Sequence, residues 1–145
     1  MRDAPPLRLV AEDPTDLTVM AACLQDALVP ISDIALLLGE NRFALALNRF
    51  MWERGEEQDA DGPLYFRTHA LLRIDGVTAV RSRGYDRADR ARILSLMSVR
   101  PSEGGIDLLF AEDAAIKVLA DPLKATLLDM GEPWPTRWRP GHSEE

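Results

Sequence analysis

One cysteine and two histidines are all that this chain of 145 residues offers of the commonest metal-binding side chains. Cys23 alone excludes an internal disulfide and any cysteine-based metal cage, and with only His69 and His142 a zinc site would have to rest on carboxylates. No metal and no cofactor is therefore expected. Cys23 sits among Met20, Ala21, Ala22 and Leu24 with no neighbouring base, the setting of a small packing residue and not of a reactive thiol. Serines are few, and neither a Gly-x-Ser-x-Gly elbow nor a glycine-rich phosphate loop occurs, which counts against the familiar hydrolase and nucleotide-binding classes. No apolar run approaches the ~20 residues of a membrane-spanning helix, and Asp3, Pro5 and Pro6 stand where a secretory signal has its apolar stretch. A cytoplasmic protein with no membrane partner is the expectation.

With 46% of its residues apolar and no repeat or linker, the chain reads as one globular domain over residues 1–145. Residues 1–6 are expected to lack order, and residues 132–145 to form an extended tail rich in proline and tryptophan. The net charge of −7 is unevenly spread. Residues 64–100 hold eight arginines against three acids, a local charge of +5, and the remainder carries nine bases against twenty-one acids, or −12. An acidic protein repels nucleic acid at long range, so a polyanion would have to be held by the middle segment alone.

Asp13-Pro14-Thr15-Asp16 is a helix start, with a capping carboxylate, a proline where its missing N–H does no harm, and an acid at the positive end of the dipole. Leu17, Met20, Ala21, Leu24 and Leu28 then repeat at helical spacing until Pro30. Leu7–Val10 reads as a short edge strand. Ile34–Leu38 and Phe43–Glu53 read as the strands of a hairpin turning on Gly39-Glu40-Asn41-Arg42, and Arg54–Pro63 as a solvated acidic loop. Leu64–Ile74 and Val77–Arg83 read as two strands joined by a tight turn at Asp75-Gly76. Three more strands follow, Ile93–Val99, Ile106–Phe110 and Ala114–Leu119. Asp121-Pro122 repeats the helix-start chemistry, which with Leu123, Leu127, Met130 and a terminating Gly131 predicts a C-terminal helix over 122–130, a strand being the alternative.

These elements predict an α+β fold: a mainly antiparallel curved sheet or partly open barrel of six to seven strands, with one N-terminal and one C-terminal helix. The element order resembles the pleckstrin-homology-type barrel, a likeness that carries no function with it.

Arg67, His69 and Arg73 share one face of a half-exposed strand and form a candidate anion-binding row, since guanidinium forks pair with carboxylate or phosphate. Arg81 and Arg83, flanking Ser82 beside Gly84, form a second candidate for the same chemistry. Asn48 and Arg49 interrupt an otherwise apolar strand and need partners if buried. The expected arrangement is a structural polar cluster in which Arg49 pairs with Asp26 or Asp33, tying helix to sheet. Trp134 and Trp138, in a tail too rich in proline for a helix, are expected to pack back onto the domain with Arg137 or Arg139 stacked on a ring, the alternative being that they are candidate contacts for a partner or second subunit.

Several of these motifs together resemble a family of small bacterial proteins classed only as a domain of unknown function, number twenty-nine forty-eight. They are Leu24-Gln25-Asp26-Ala27, the run Arg42–Phe50 with Trp52-Glu53, Arg81-Ser82-Arg83-Gly84, Leu128-Asp129-Met130-Gly131, and the tail from Trp134 to His142. The resemblance implies no established activity, cofactor or partner. The acidic loop Glu56-Glu57-Gln58-Asp59 departs from that family's basic one, which argues against an anion site in the loop.

With no nucleophile, base or metal cluster assembled, no catalytic residue is assigned. The expected function is a non-catalytic binding or protein-interaction module, self-association included. A small enzyme or binder acting on an anionic phosphate or carboxylate metabolite is the alternative. Weak nucleic-acid binding through residues 64–100 ranks last, because the arginines divide between faces and lack an aromatic platform.

Overall fold

The computed structural model describes residues 6–141, with strand making up 61% of them and helical turns 14%. The expected disorder of residues 1–5 and the His142 end of the tail fall outside the described residues. Nine strands and one α-helix are present among those described: β1 (Arg8–Ala11), α1 (Pro14–Leu24), β2 (Leu28–Pro30), β3 (Ile34–Leu37), β4 (Arg42–Phe50), β5 (Glu57–Asp59), β6 (Gly62–Arg83), β7 (Ile93–Ser102), β8 (Gly105–Phe110) and β9 (Ala115–Thr136). Every pairing is antiparallel. Strands β4, β6, β9, β8, β7 and β2 follow one another round a ring that closes where β2 meets β4 at Leu28 and Asn48. The result is a closed six-stranded barrel, with β1, β3 and β5 added along its edges.

Alternation fills this barrel. Phe43, Leu45 and Leu47 of β4, Ala70, Leu72 and Ile74 of β6, and Ala125 and Leu127 of β9 all face inward and are buried. Side chains of period two on strands buried on one face give one continuous apolar cluster, to which α1 adds Leu17, Met20 and Leu24. The helix begins as its residues dictate: the Asp13 carboxylate accepts from the Asp16 amide at 2.8 Å and Pro14 takes the first turn. It stops at Leu24, four residues before Leu28, because the next segment must enter the sheet. Asp26 turns the chain with a φ of +63°, and backbone bonds from the Asp26 amide to Leu96 and from the Leu96 amide to Ala27 start the β2 pairing.

Two helices flanking a partly open sheet were expected, and the barrel corrects this: it is closed, and α1 is the single α-helix among the described residues. Residues 122–130 belong to β9. The apolar spacing of Leu123, Leu127 and Met130 suits a helix, but Ala125 and Leu127 also alternate inward, and β1 on one side and β6 on the other supply ladders for the backbone. Pairing on both edges overrides a local helix preference. With no helix there, the likeness to a pleckstrin-homology barrel lapses.

Asp75-Gly76 is likewise no hairpin turn but a kink within one 22-residue strand. Gly76 has a φ of +79°, and a Cβ there would run into the Pro122 carbonyl of β9. The register of β6 against β9 shifts on both sides of Val77, so the two strands bend together. The acidic loop is also more ordered than its composition suggests, since β5 pairs with the start of β6 as a small exposed hairpin. No helix among the described residues is long and apolar enough to cross a membrane.

Because positive φ and backbone contact coincide at Gly76, Gly76→Ala should cost at least about 2 kcal/mol, seen as a fall in melting temperature of roughly 5 °C or more. Gly39→Ala, at a position with no atom near enough to meet a Cβ, should leave melting nearly unchanged.

Candidate functional site

Arg49 lies inside the barrel, because residues 43, 45, 47 and 49 share the inward face of β4, and it is fully buried. A buried guanidinium requires carboxylates, and it has two. Its Nε and Nη2 donate to Asp129 at 2.8 and 2.9 Å, while Nη1 and Nη2 donate to Glu53 at 3.0 and 2.7 Å. Asp129 also accepts from the Leu7 amide at 3.1 Å, so β4, the turn after it, β9 and the chain before β1 meet at one point. These bonds raise the Arg49 pKa despite burial, and Glu53 is held below the usual carboxylate range by Arg49, outweighing its own partial burial. Burial pushes the Cys23 thiol upward, with Arg49 opposing and Glu53 and Asp129 reinforcing, so it stays protonated at neutral pH.

Neither Asp26 nor Asp33 holds Arg49. Asp33 is exposed at the end of a helical turn, and Asp26 lies close enough to Arg67 to favour its charge. Asn48, pointing outward, accepts from Arg67 Nη1 at 2.6 Å. The expected cluster is thus two: Arg49 with Glu53 and Asp129 inside, and Asn48 with Arg67 outside. Glu53 and Asp129 escaped the sequence reading because one sits in a turn and the other in a segment read as helix. The visible clue was one buried cation in a strand, which demands a carboxylate but does not say which.

Arg67, His69 and Arg73 do share the outward face of β6, but each is engaged separately. The Arg67 guanidinium lies 5.7 Å from the Phe50 ring and 5.6 Å from that of Trp138, and burial lowers its pKa against the opposing pull of Asp26. His69 packs on Trp134 with ring centroids 4.7 Å apart. Arg73 faces Asp75, which Arg42 also bonds at 2.9 Å. Arg73 lies six positions beyond Arg67 along the strand, roughly 20 Å, so one small anion cannot span the row.

Arg81 and Arg83 have a different setting. Beyond the kink, β6, β9 and β8 lie side by side, with Arg81 opposite Lys117 and Lys117 opposite Asp107. Arg81, Ser82, Arg83 and Lys117 border an open groove of about 270 Å³, with Leu109 and Ala115 among its apolar lining. Lys117 donates to Ser102 Oγ at 3.0 Å and to Asp107 at 3.3 Å, whereas Arg81 and Arg83 are exposed and have no hydrogen-bond or ion-pair partner among the described residues. Lys117 was missed because its strand was read without its neighbours. Trp134 is half-buried against His69, while Trp138 is exposed over Arg67. Among the described residues no group of three His, Cys, Asp or Glu side chains is placed to hold a metal ion.

The inner cluster generates a stability prediction. Asp129→Ala leaves a buried cation short of a carboxylate and should cost about 3–5 kcal/mol in denaturant unfolding. Glu53 has a depressed folded pKa, so its contribution is present above the unfolded carboxylate range and is lost as pH falls through the lower, folded value. Between pH 7 and 3 the melting curves of Glu53→Gln and the parent chain should therefore converge, and a constant difference would refute the assignment.

Neither a curated protein nor a solved structure matches the chain significantly. A family model described as "Protein of unknown function (DUF2948)" matches residues 7–142. That span takes in the buried cluster, the arginine groove and the tryptophan-bearing tail, and the chain belongs to this family of proteins of unknown function.

Proposed function

We propose that the protein is a non-catalytic binding module whose ligand presents a phosphate or carboxylate to the groove at Arg81, Arg83 and Lys117. The observation that carries the reading is the pair of exposed guanidinium groups, without a partner among the described residues, above an apolar-lined hollow. Such forks match the geometry of carboxylate and phosphate, and the apolar lining accommodates the body of a small ligand or side chain. Asp107 is the one carboxylate among the described residues that line the groove, and Lys117 and Ser102 already engage it. Arg49, Asp33 and His69 lie in separate settings, which favours binding over catalysis by those residues. The reading includes a cytoplasmic location, supported by a lone cysteine with no disulfide partner in the chain.

Thermal melting with phosphate, pyrophosphate and citrate, each against sodium chloride of equal ionic strength, tests the proposal. At a hundredfold excess over the dissociation constant a bound ligand adds about 2.7 kcal/mol, a rise of roughly 5 °C or more for a chain of this size. The rise should disappear in Arg81→Ala/Arg83→Ala, and the absence of any selective rise would end the reading. Retention on a labelled oligonucleotide at 50 mM salt that weakens steeply as salt rises would instead favour nucleic-acid binding.

A further inference from the structure

The opposite end of the β6–β9 ribbon carries a second surface of opposite chemistry. Phe50, Trp52 and Tyr65 wall a cleft of about 330 Å³ completed by Gly55, Glu56 and Arg139. The Phe50 ring centroid lies 4.5 Å from that of Trp52 and 5.7 Å from that of Tyr65, with the planes tilted by 57° and 44°. Trp52 is fixed by its indole N–H, which donates to the Gln25 carbonyl at 2.9 Å, and Tyr65 by its hydroxyl, which donates to Glu56 at 2.8 Å. Aromatic faces are electron-rich, and Glu56, Glu57, Asp59 and Asp61 make the adjoining exposed hairpin acidic. A cation is the group such a cleft accepts.

The chain's own tail demonstrates the fit. Arg137 donates from Nη1 and Nη2 to the two oxygens of Asp59 at 2.8 and 2.6 Å, and from Nη1 to the Gly62 and Pro63 carbonyls at 3.2 and 3.0 Å. Two residues on, the Arg139 guanidinium stands 5.4 Å from the Trp52 ring, and Pro140 is buried. Trp138 between them is seated less well. It is 60% exposed, and beneath it Arg67, only 5% exposed, keeps an Nη2 with no acceptor among the described residues. A buried N–H without an acceptor weakens the docked state, which leaves the tail displaceable.

We propose that this corner is a docking site for an extended, arginine-bearing segment of a partner protein, and that residues 137–140 are its intramolecular occupant. Two arginines separated by one residue satisfy it, one on the Asp59 carboxylate and one on the Trp52 face. An incoming segment that offers a carbonyl to Arg67 Nη2 improves on the tail. The site shares no residue with the arginine groove and stands or falls independently of it.

The probe is the peptide Pro-Thr-Arg-Phe-Arg-Pro, which lacks tryptophan, so emission changes report the protein alone. Titrated into the full chain it should produce a saturable change only at high concentration. In Arg137→Ala/Arg139→Ala, where the tail no longer competes, the midpoint should fall at least tenfold. Adding Asp59→Ala should abolish binding, as should replacing both peptide arginines by glutamine. No saturable change in either the parent or the double variant, or equal midpoints in the two, would overturn the proposal and leave the tail a structural strap. Melting of each variant confirms that the barrel is intact, and the titration of the parent chain stands even if a variant fails to fold.

Discussion

The pairing of β6 with β9, from Tyr65 opposite Thr136 to Arg83 opposite Ala115, runs through a bend that both strands make together. Straight, a strand of 22 residues would extend roughly 70 Å, whereas a folded chain of this length has a radius of gyration of about 15 Å. The ribbon must therefore bend, and neither strand can bend alone without breaking the ladder between them. Gly76 supplies a left-handed backbone conformation, and the absence of its side chain lets the Pro122 carbonyl approach. After the bend each strand serves different neighbours. β9 pairs with β8 through Ala115–Leu119 and with β1 through residues 125–128, so two covalently continuous strands supply much of a closed wall.

Closure brings a second requirement, because an end of the barrel must be sealed without leaving polar groups unpaired. Arg49 enters from the inward face of β4 and meets carboxylates from the following turn and from β9. Burying this charge confers little net stability by itself, since desolvation consumes most of the attraction. What the arrangement supplies is register. A slip of β4 by one residue would turn Arg49 outward and bring Asn48 inside, away from Asp129, so the bonded set selects one alignment of strands that lie far apart in sequence.

The strands were legible wherever a short apolar run is bounded by turn residues: β3 and β4 about their corner, β7, β8, and the alternating segments that became the two halves of β6. The cap of α1 was legible because it is local chemistry between Asp13 and Asp16. Residues 122–130 were not, because Asp121-Pro122 and Gly131 carry genuine helix signals and the competing information lies in β1 and β6, remote in sequence. Asp75-Gly76 misled for the same reason, since a glycine of positive φ suits a hairpin and a kink equally, and the adjacent Pro122 decides. At the sites, the identity of the arginines was legible and their environment was not. Arg67, Arg73, Arg81 and Arg83 look alike in sequence, yet one is buried beside Asn48, one faces Asp75, and two have no partner among the described residues.

That difference in environment also changes what the net charge means. A total of −7 suggests a protein that repels anions, but at physiological salt a charge is screened over about 8 Å. From Gly76, β6 runs eleven residues back to Tyr65 and seven on to Arg83, legs of roughly 36 and 23 Å. Even at the sharpest bend the two ends stay more than a screening length apart. The acids around Asp59 therefore attract cations locally without cancelling the field of Arg81, Arg83 and Lys117. The inward faces of β4, β6 and β9 are filled by their own apolar side chains, and the long bent ribbon holds two surfaces of opposite sign more than a screening length apart.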